Sequence, residues 1–214
     1  RYGRGAGDVQ RAFLMHACLL FWAIRLTYNW IRSWEGFSHE DWRYVMMKGK
    51  TENKFQYFMV DFGSIHLIPT ICVYMALLPM IYALAYPGDV LNLLDAVATL
   101  LAVIAVIIQI ISDQQMYNFR KNISEPQTMQ SGLWFYSRHP NYFGEILFWF
   151  SLFVFAIAAD IGFAWLLIGC VIMYALIAIA SVAMMDKRSL LRRPDFKEYM
   201  DSTPPIFINF FKKG

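Results

Sequence analysis

Residues 137–145 read Ser-Arg-His-Pro-Asn-Tyr-Phe-Gly-Glu, and the apolar run "ILFWFSLFVFAIA" follows directly. A guanidinium, an imidazole, an amide and a carboxylate thus crowd the start of a hydrophobic segment. Pro140 suits the first turn of a helix, because its missing N–H would have no partner there. Ser137 to His139 then sit at the helix entrance, where free backbone N–H groups and the positive helix end favour an anion. Arg138 adds a planar fork that grips phosphate through two parallel hydrogen bonds. Arg120, Lys121, Lys187 and Arg188 come from basic segments on the same side of the chain. These groups predict a mouth for a phosphorylated ligand. Farther in, Asn141 and Glu145 share a face, and Arg138, Tyr142, Glu145 and Trp149 form a stripe at steps of four, three and four. A carboxylate that deep in an apolar helix needs a partner. It is expected to be a ligand hydroxyl or amide, or a second arginine such as Arg25; an internal salt bridge at the membrane surface is the plainer alternative.

A second polar group lies in "WAIRLTYNWIR" at 22–32. Arg25 and Asn29 are four apart on one face, with Tyr28 beside them. Arg25 either snorkels to the basic side or has a buried partner. Asp61, His66, Asp95 and Gln109 read as structural, and "HEDWRYVMMKGK" at 39–50 as a solvated interfacial loop.

The elements that must position these residues are apolar. Of 214 residues, 58% are hydrophobic and 16% charged, with a mean hydropathy of +0.39; soluble domains carry about 25% charge. Five segments, near 12–31, 59–86, 91–112, 141–159 and 161–183, have the roughly 20 residues a membrane helix needs. The fold class is therefore an all-α integral membrane protein of about five transmembrane helices, and 1–214 reads as one membrane domain. Pro69 and Pro79 are expected to kink the second helix. "YPGD" at 86–89 reads as a turn, and Asp160 with Gly162 as a tight link between antiparallel helices.

Lys and Arg crowd the segments 32–58 and 113–140 and the tail from 184, while the links near 87–90 and 160 carry none. The positive-inside rule places the basic segments on the cytoplasmic side or its topological equivalent; the endoplasmic reticulum, mitochondrial inner and bacterial inner membranes all fit. The net charge of +3 and the membrane character leave no expectation of nucleic acid as a partner. Cys18, Cys72 and Cys170 are scattered through apolar runs, which suits neither a disulfide framework nor zinc, and the four histidines lack metal-ligand spacing, so no metal is expected. "GRGAG" at 3–7 follows no strand and reads as part of a flexible arm over 1–11 rather than a dinucleotide loop. The chain starts at Arg1 rather than Met, which points to a processed or truncated chain.

"GLWFYSRHPNYFGEILFW" at 132–149 closely resembles the C-terminal signature of the steroid 5-alpha-reductase superfamily, most of all its DUF1295 branch. "SDQQMYNFR" at 112–120, "DKRSLLRRPDFKEYMDSTPPIFI" at 186–208, "WAIRLTYNW" at 22–30 and "EDWRY" at 40–44 extend the resemblance over nearly the whole chain. It implies a multi-helix membrane fold that binds NADPH in a cavity facing the cytoplasm. It also implies hydride transfer to a carbon–carbon double bond of a lipid-like steroid, enone or enoyl substrate. Carried over by motif, Arg138, His139, Asn141, Tyr142 and Glu145 would bind the cofactor. Asp113, Arg120, Trp134, Tyr136, Lys187, Arg188 and Tyr199 would line the same pocket, with the basic tail 184–214 closing it. Such chemistry needs a general acid at the acceptor carbonyl. Tyr142 is one candidate; Tyr28, with Arg25 and Asn29 toward the substrate, is another. Asp186 stands where the superfamily usually has Glu, and Phe196 replaces a frequent tyrosine. Members normally carry further helices before the one starting near residue 12, and their absence would open part of the cavity wall.

Two rival readings follow. Isoprenylcysteine and phospholipid methyltransferases share an Arg-His-Pro helix entrance and bind S-adenosylmethionine, but they carry a Glu-Glu pair where this chain has Asp186-Lys187. A non-catalytic accessory subunit of a large membrane complex would explain the start at Arg1, and its partners would be other subunits as well as membrane lipids.

Overall fold

The computed structural model describes residues 6–86 and 90–212. Residues 1–5 of the expected arm and 87–89 of the expected turn lie outside the described residues. Five helices long and apolar enough to span a membrane are present, and no strand occurs among the described residues. In chain order, α1 is Ala6–Arg32 and α2 is the short Trp42–Lys48. Next come α3, Lys54–Ala85, and α4, Leu93–Asn122. The short α5 is Leu133–Tyr136 and α6 is Pro140–Ala159. The last spanning helix, α7, covers Ile161–Arg192, and α8, Phe196–Ser202, lies in the tail.

Helices in hydrocarbon gain little from burying apolar surface against one another; close packing and hydrogen bonds hold them. Gly144 provides the close packing between α4 and α6, the most extensive pair in the bundle. A Cβ there would lie 2.6 Å from Gln109 Cγ and 2.8 Å from the Ala105 carbonyl. Gly169 does the same where α7 crosses α3: a Cβ would collide with the Met75 carbonyl. α1 lies against α4 along one inward stripe, Arg11, Met15, Cys18, Trp22, Arg25 and Asn29, at alternating steps of four and three.

The helix ends follow local rules. Asn92 caps α4: its side chain accepts from the Leu94 N–H at 2.9 Å, and Asp95 returns a bond to the Asn92 N–H at 2.9 Å. Pro140 opens α6 in its first turn, as expected. Asp160 ends α6 and accepts from the Gly162 N–H at 2.7 Å, which makes the expected tight link to α7. Pro69 follows a π-helical stretch, Met59–Leu67, within α3. The missing proline N–H removes the donor for the carbonyl four residues back, and the helix widens there. A second π-helical stretch, Leu176–Val182, lies in α7.

Three boundaries differ from expectation. α1 begins at Ala6, so the helix takes in half of the stretch expected to be a flexible arm. The reason is Arg11, 1% exposed, whose guanidinium pairs with Asp95 at 2.7 and 2.9 Å. α4 runs past residue 112 to Asn122, and α7 past 183 to Arg192. Both therefore project polar turns beyond the apolar band on the basic side, and these turns carry the charges of the site.

Candidate functional site

At the basic end of α6 the cluster of 137–145 divides into two parts. The first part is a knot with the tail. The Arg138 guanidinium donates to the Met200 carbonyl at 2.9 Å, the Thr203 carbonyl at 2.6 Å and Asp186 at 2.7 Å. His139 meets the other Asp186 oxygen through Nε2 at 3.0 Å. The Ser137 hydroxyl donates to the Ile206 carbonyl at 2.7 Å, and the Arg138 N–H to the Pro204 carbonyl at 2.9 Å. The buried Tyr199 hydroxyl donates to the Trp134 carbonyl, and burial pushes its phenol above the usual range. The Trp134 indole donates to the Ser112 carbonyl at 3.0 Å, and the Tyr136 carbonyl accepts from the Asn209 N–H at 3.0 Å. This knot fixes α5, α6, α7, α8 and the tail to one another.

The second part is a polar layer inside the bundle. Glu145 receives three neutral donors: Trp22 Nε1 at 3.1 Å and Gln109 Nε2 at 2.9 Å on one oxygen, and Trp149 Nε1 at 3.0 Å on the other. Trp22 is fixed in turn by stacking on Phe148, with ring centroids 5.3 Å apart. Arg25 pairs with Asp113, both side chains less than one-tenth exposed. Three buried atoms of this level have no partner in the protein: Arg25 Nε, Gln109 Oε1 and Asn141 Oδ1. Unpaired buried polar atoms are rare and costly, which makes this level a candidate for binding a further polar group. Tyr142, half-buried at the edge of the layer, donates to the Met185 thioether at 3.2 Å. A thioether is a weak acceptor, so this hydroxyl loses little by turning toward a better one.

Over this layer lies a cationic rim. Arg120 projects from the end of α4, and Lys187, Arg188, Arg192 and Arg193 come from the end of α7 and just beyond. Among the described residues, no carboxylate lies within salt-bridge distance of any of them. Burial holds the Arg193 guanidinium below its ordinary value. The like charges of Arg120, Arg192 and Arg188 add to this, against Asp195. Arginines that repel one another at a mouth favour an anion there. α2 lies at the edge of this rim. The Arg188 guanidinium sits 4.1 Å from the centre of the Trp42 ring, and Asp41 holds Arg43 at 2.9 and 2.7 Å.

The geometry reassigns several expected residues. Arg138 and His139 are tied to Asp186 and the tail, which leaves Arg138 Nε and His139 Nδ1 as their buried atoms without a partner in the protein. Trp134, Tyr136 and Tyr199 brace the knot through their polar atoms rather than lining an open pocket. Arg25 has its buried partner, but the partner is Asp113 and not Glu145. Asn29 accepts from Arg32 at 2.9 Å instead of facing free space. Tyr28 is 62% exposed on the outer side of α1 with Arg32 near its ring, which removes it from the layer. Asn141, Tyr142, Glu145, Arg120, Lys187 and Arg188 remain at the layer or its rim. Trp22 and Gln109 were not singled out for the site, although the step from Trp22 to Arg25 to Asn29 carried the signal. Arg193 was hidden in a generally basic tail.

Residues 4–203 match the family described as a protein of unknown function, DUF1295. The chain belongs to the DUF1295 family. Through it the chain falls within the steroid 5-alpha-reductase-like superfamily. A fission yeast relative, an uncharacterized protein of Schizosaccharomyces pombe, is 24% identical over 96% of this chain. The chain spans 66% of that relative's length. No solved structure matches. The family match takes in α1, the polar layer and the knot as far as Thr203, while Pro204, Ile206 and Asn209 of the knot lie beyond it.

Proposed function

We propose that this multi-pass membrane protein is an NADPH-dependent reductase of a carbon–carbon double bond in a lipid-like steroid, enone or enoyl substrate. The observation that carries the reading is the pairing of a rim of clustered cations, free of direct salt bridges among the described residues, with a buried polar layer that has unpaired atoms. The residues fit NADPH. Arg120, Arg188 and Arg193 would hold its phosphates, and the free atoms of Gln109, Asn141 and Arg25 match a carboxamide, which both donates and accepts. When bound, the cofactor would supply hydride. S-adenosylmethionine has no phosphate, so the rim favours a dinucleotide over it.

The chain's own groups do the rest. Glu145, held by two indoles and an amide, keeps acceptor capacity on the oxygen that carries one donor. It would fix the orientation of a ligand amide. The Arg25–Asp113 pair sets the charge beside it. Tyr142, whose hydroxyl has only a weak acceptor in the protein, would give its proton to the substrate oxygen. The knot of Arg138, His139 and Asp186 keeps the tail and α7 in register, which holds the rim over the layer.

The test is NADPH consumption by the purified protein with enone- and enoyl-bearing lipids. Tyr142→Phe is expected to keep NADPH binding and lose turnover by about 10²–10⁴-fold, the usual contribution of a positioned acid. Unchanged turnover would remove Tyr142 from the chemistry, and no consumption with any such lipid would contradict the reductase reading.

A further inference from the structure

Phe143, Leu147 and Phe150 of α6 share one face at steps of four and three. Together with Val171 and Tyr174 of α7 and Phe207 of the tail they line a groove of about 350 Å³, open on one side. Asn141 and Glu145 each precede a groove residue by two positions, about 200° around the helix. The groove is therefore on the opposite side of α6 from the polar layer, and α6 itself separates the two.

Its position decides what surrounds it. The groove begins one turn inside Pro140, the basic-side end of α6, and extends to Phe150. Seven residues of helix span about 10 Å, out of a half-bilayer of roughly 15 Å. It opens outward from the bundle, where Val171 is 51% exposed and Phe150 37%. At this depth the solvent is acyl chains.

Its size decides what enters it. A helix 10–12 Å across would need roughly 800 Å³ over the same length, more than twice the space available. A methylene takes about the volume of a water, ~30 Å³, so the groove holds about a dozen. That matches most of one acyl chain. The interface end is also suited to a headgroup. Beyond Phe207 the tail exposes Phe210 and Phe211, 74% and 93%, followed by Lys212. Aromatic rings at that level favour the interfacial zone of a bilayer.

We infer that the groove between α6, α7 and Phe207 is a binding site for one acyl chain of a glycerophospholipid from the basic-side leaflet. The lipid supports the seam where the tail folds back against α6.

Native mass spectrometry of the full chain released from mild detergent tests this. A phospholipid mass is expected to stay bound, one per chain, and to be lost in Leu147→Trp and Val171→Trp, which fill the groove from its two walls. Because a filled groove can disturb folding, Phe150→Trp in phosphatidylcholine–phosphatidylglycerol nanodiscs with brominated acyl chains gives a second measurement. Its added indole is expected to be quenched more strongly than that of Ile179→Trp, a position 76% exposed to lipid. The excess should also persist longer after dilution into unbrominated lipid. The site is overturned if no lipid is retained or if the filled variants retain as much. A retained partner with the mass of a second chain, or equal quenching at 150 and 179, would overturn it too.

Discussion

Arg138 and Arg188 are both arginines on the basic side, yet their surroundings give them opposite work. Arg138 has two carbonyls and a carboxylate within 2.9 Å, whereas Arg188 lies over the face of an indole and makes no direct salt bridge among the described residues. Arg138→Ala is therefore expected to destabilise the fold rather than to act first on ligand. Breaking a largely buried ion pair costs about 3 kcal/mol or more. The lower Tm and faster proteolysis after α7 should appear without any nucleotide present; wild-type stability would contradict the knot. The sequence marks Arg138 as a fork for a phosphate, and the structure sets it among protein acceptors. Its acceptors lie 48 to 65 residues away, and spacing along one helix cannot reveal them. Arg25 teaches the same lesson. A charge in an apolar helix announces that it has a partner, and only packing tells that the partner is Asp113.

At the scale of elements, the polar contacts between helices decide where each one starts and stops. The Arg11–Asp95 pair is 2% exposed on both sides and joins α1 to α4 at the face opposite the basic segments. It draws α1 back to Ala6. Asp95→Asn leaves an uncompensated buried guanidinium, and a loss of about 3–5 kcal/mol is expected. The double change Arg11→Met with Asp95→Leu should recover most of it, because an apolar pair of similar volume replaces the ions. Thermal unfolding in detergent reads both; equal losses in the single and double variants would contradict the account. Existence and number of the spanning helices were legible from hydropathy. The polar extensions of α4 and α7 were not, since charged turns beyond the bilayer carry no apolar signal.

α2 depends on a different balance. Burial alone would raise the Asp41 carboxyl, but hydrogen bonds from the Arg43 side chain and N–H, with the charges of Arg43 and Arg188, hold it below its ordinary 3.8. The folded value is the lower one, so this stabilisation is complete above the unfolded value and is lost as pH falls through the folded value. Amide exchange over 42–48 is expected to quicken only below about pH 4, and Asp41→Asn should remove that dependence.

For the whole molecule, hydrocarbon removes most of the apolar driving force between helices, so glycine contacts and buried polar pairs carry the assembly. The same arrangement leaves one face of the bundle layered with polar atoms beneath a rim of arginines. The outer groove lies against lipid on the other side of α6. The most direct test of the central claim is a titration of NADPH and S-adenosylmethionine into the detergent-purified protein, followed by tryptophan fluorescence with Trp22 and Trp149 as reporters. Saturable NADPH binding is predicted, with no response to S-adenosylmethionine. Arg188→Gln should weaken that binding by about 10- to 150-fold, the equivalent of one charge-assisted hydrogen bond. Binding of S-adenosylmethionine alone, or of neither compound, would contradict it.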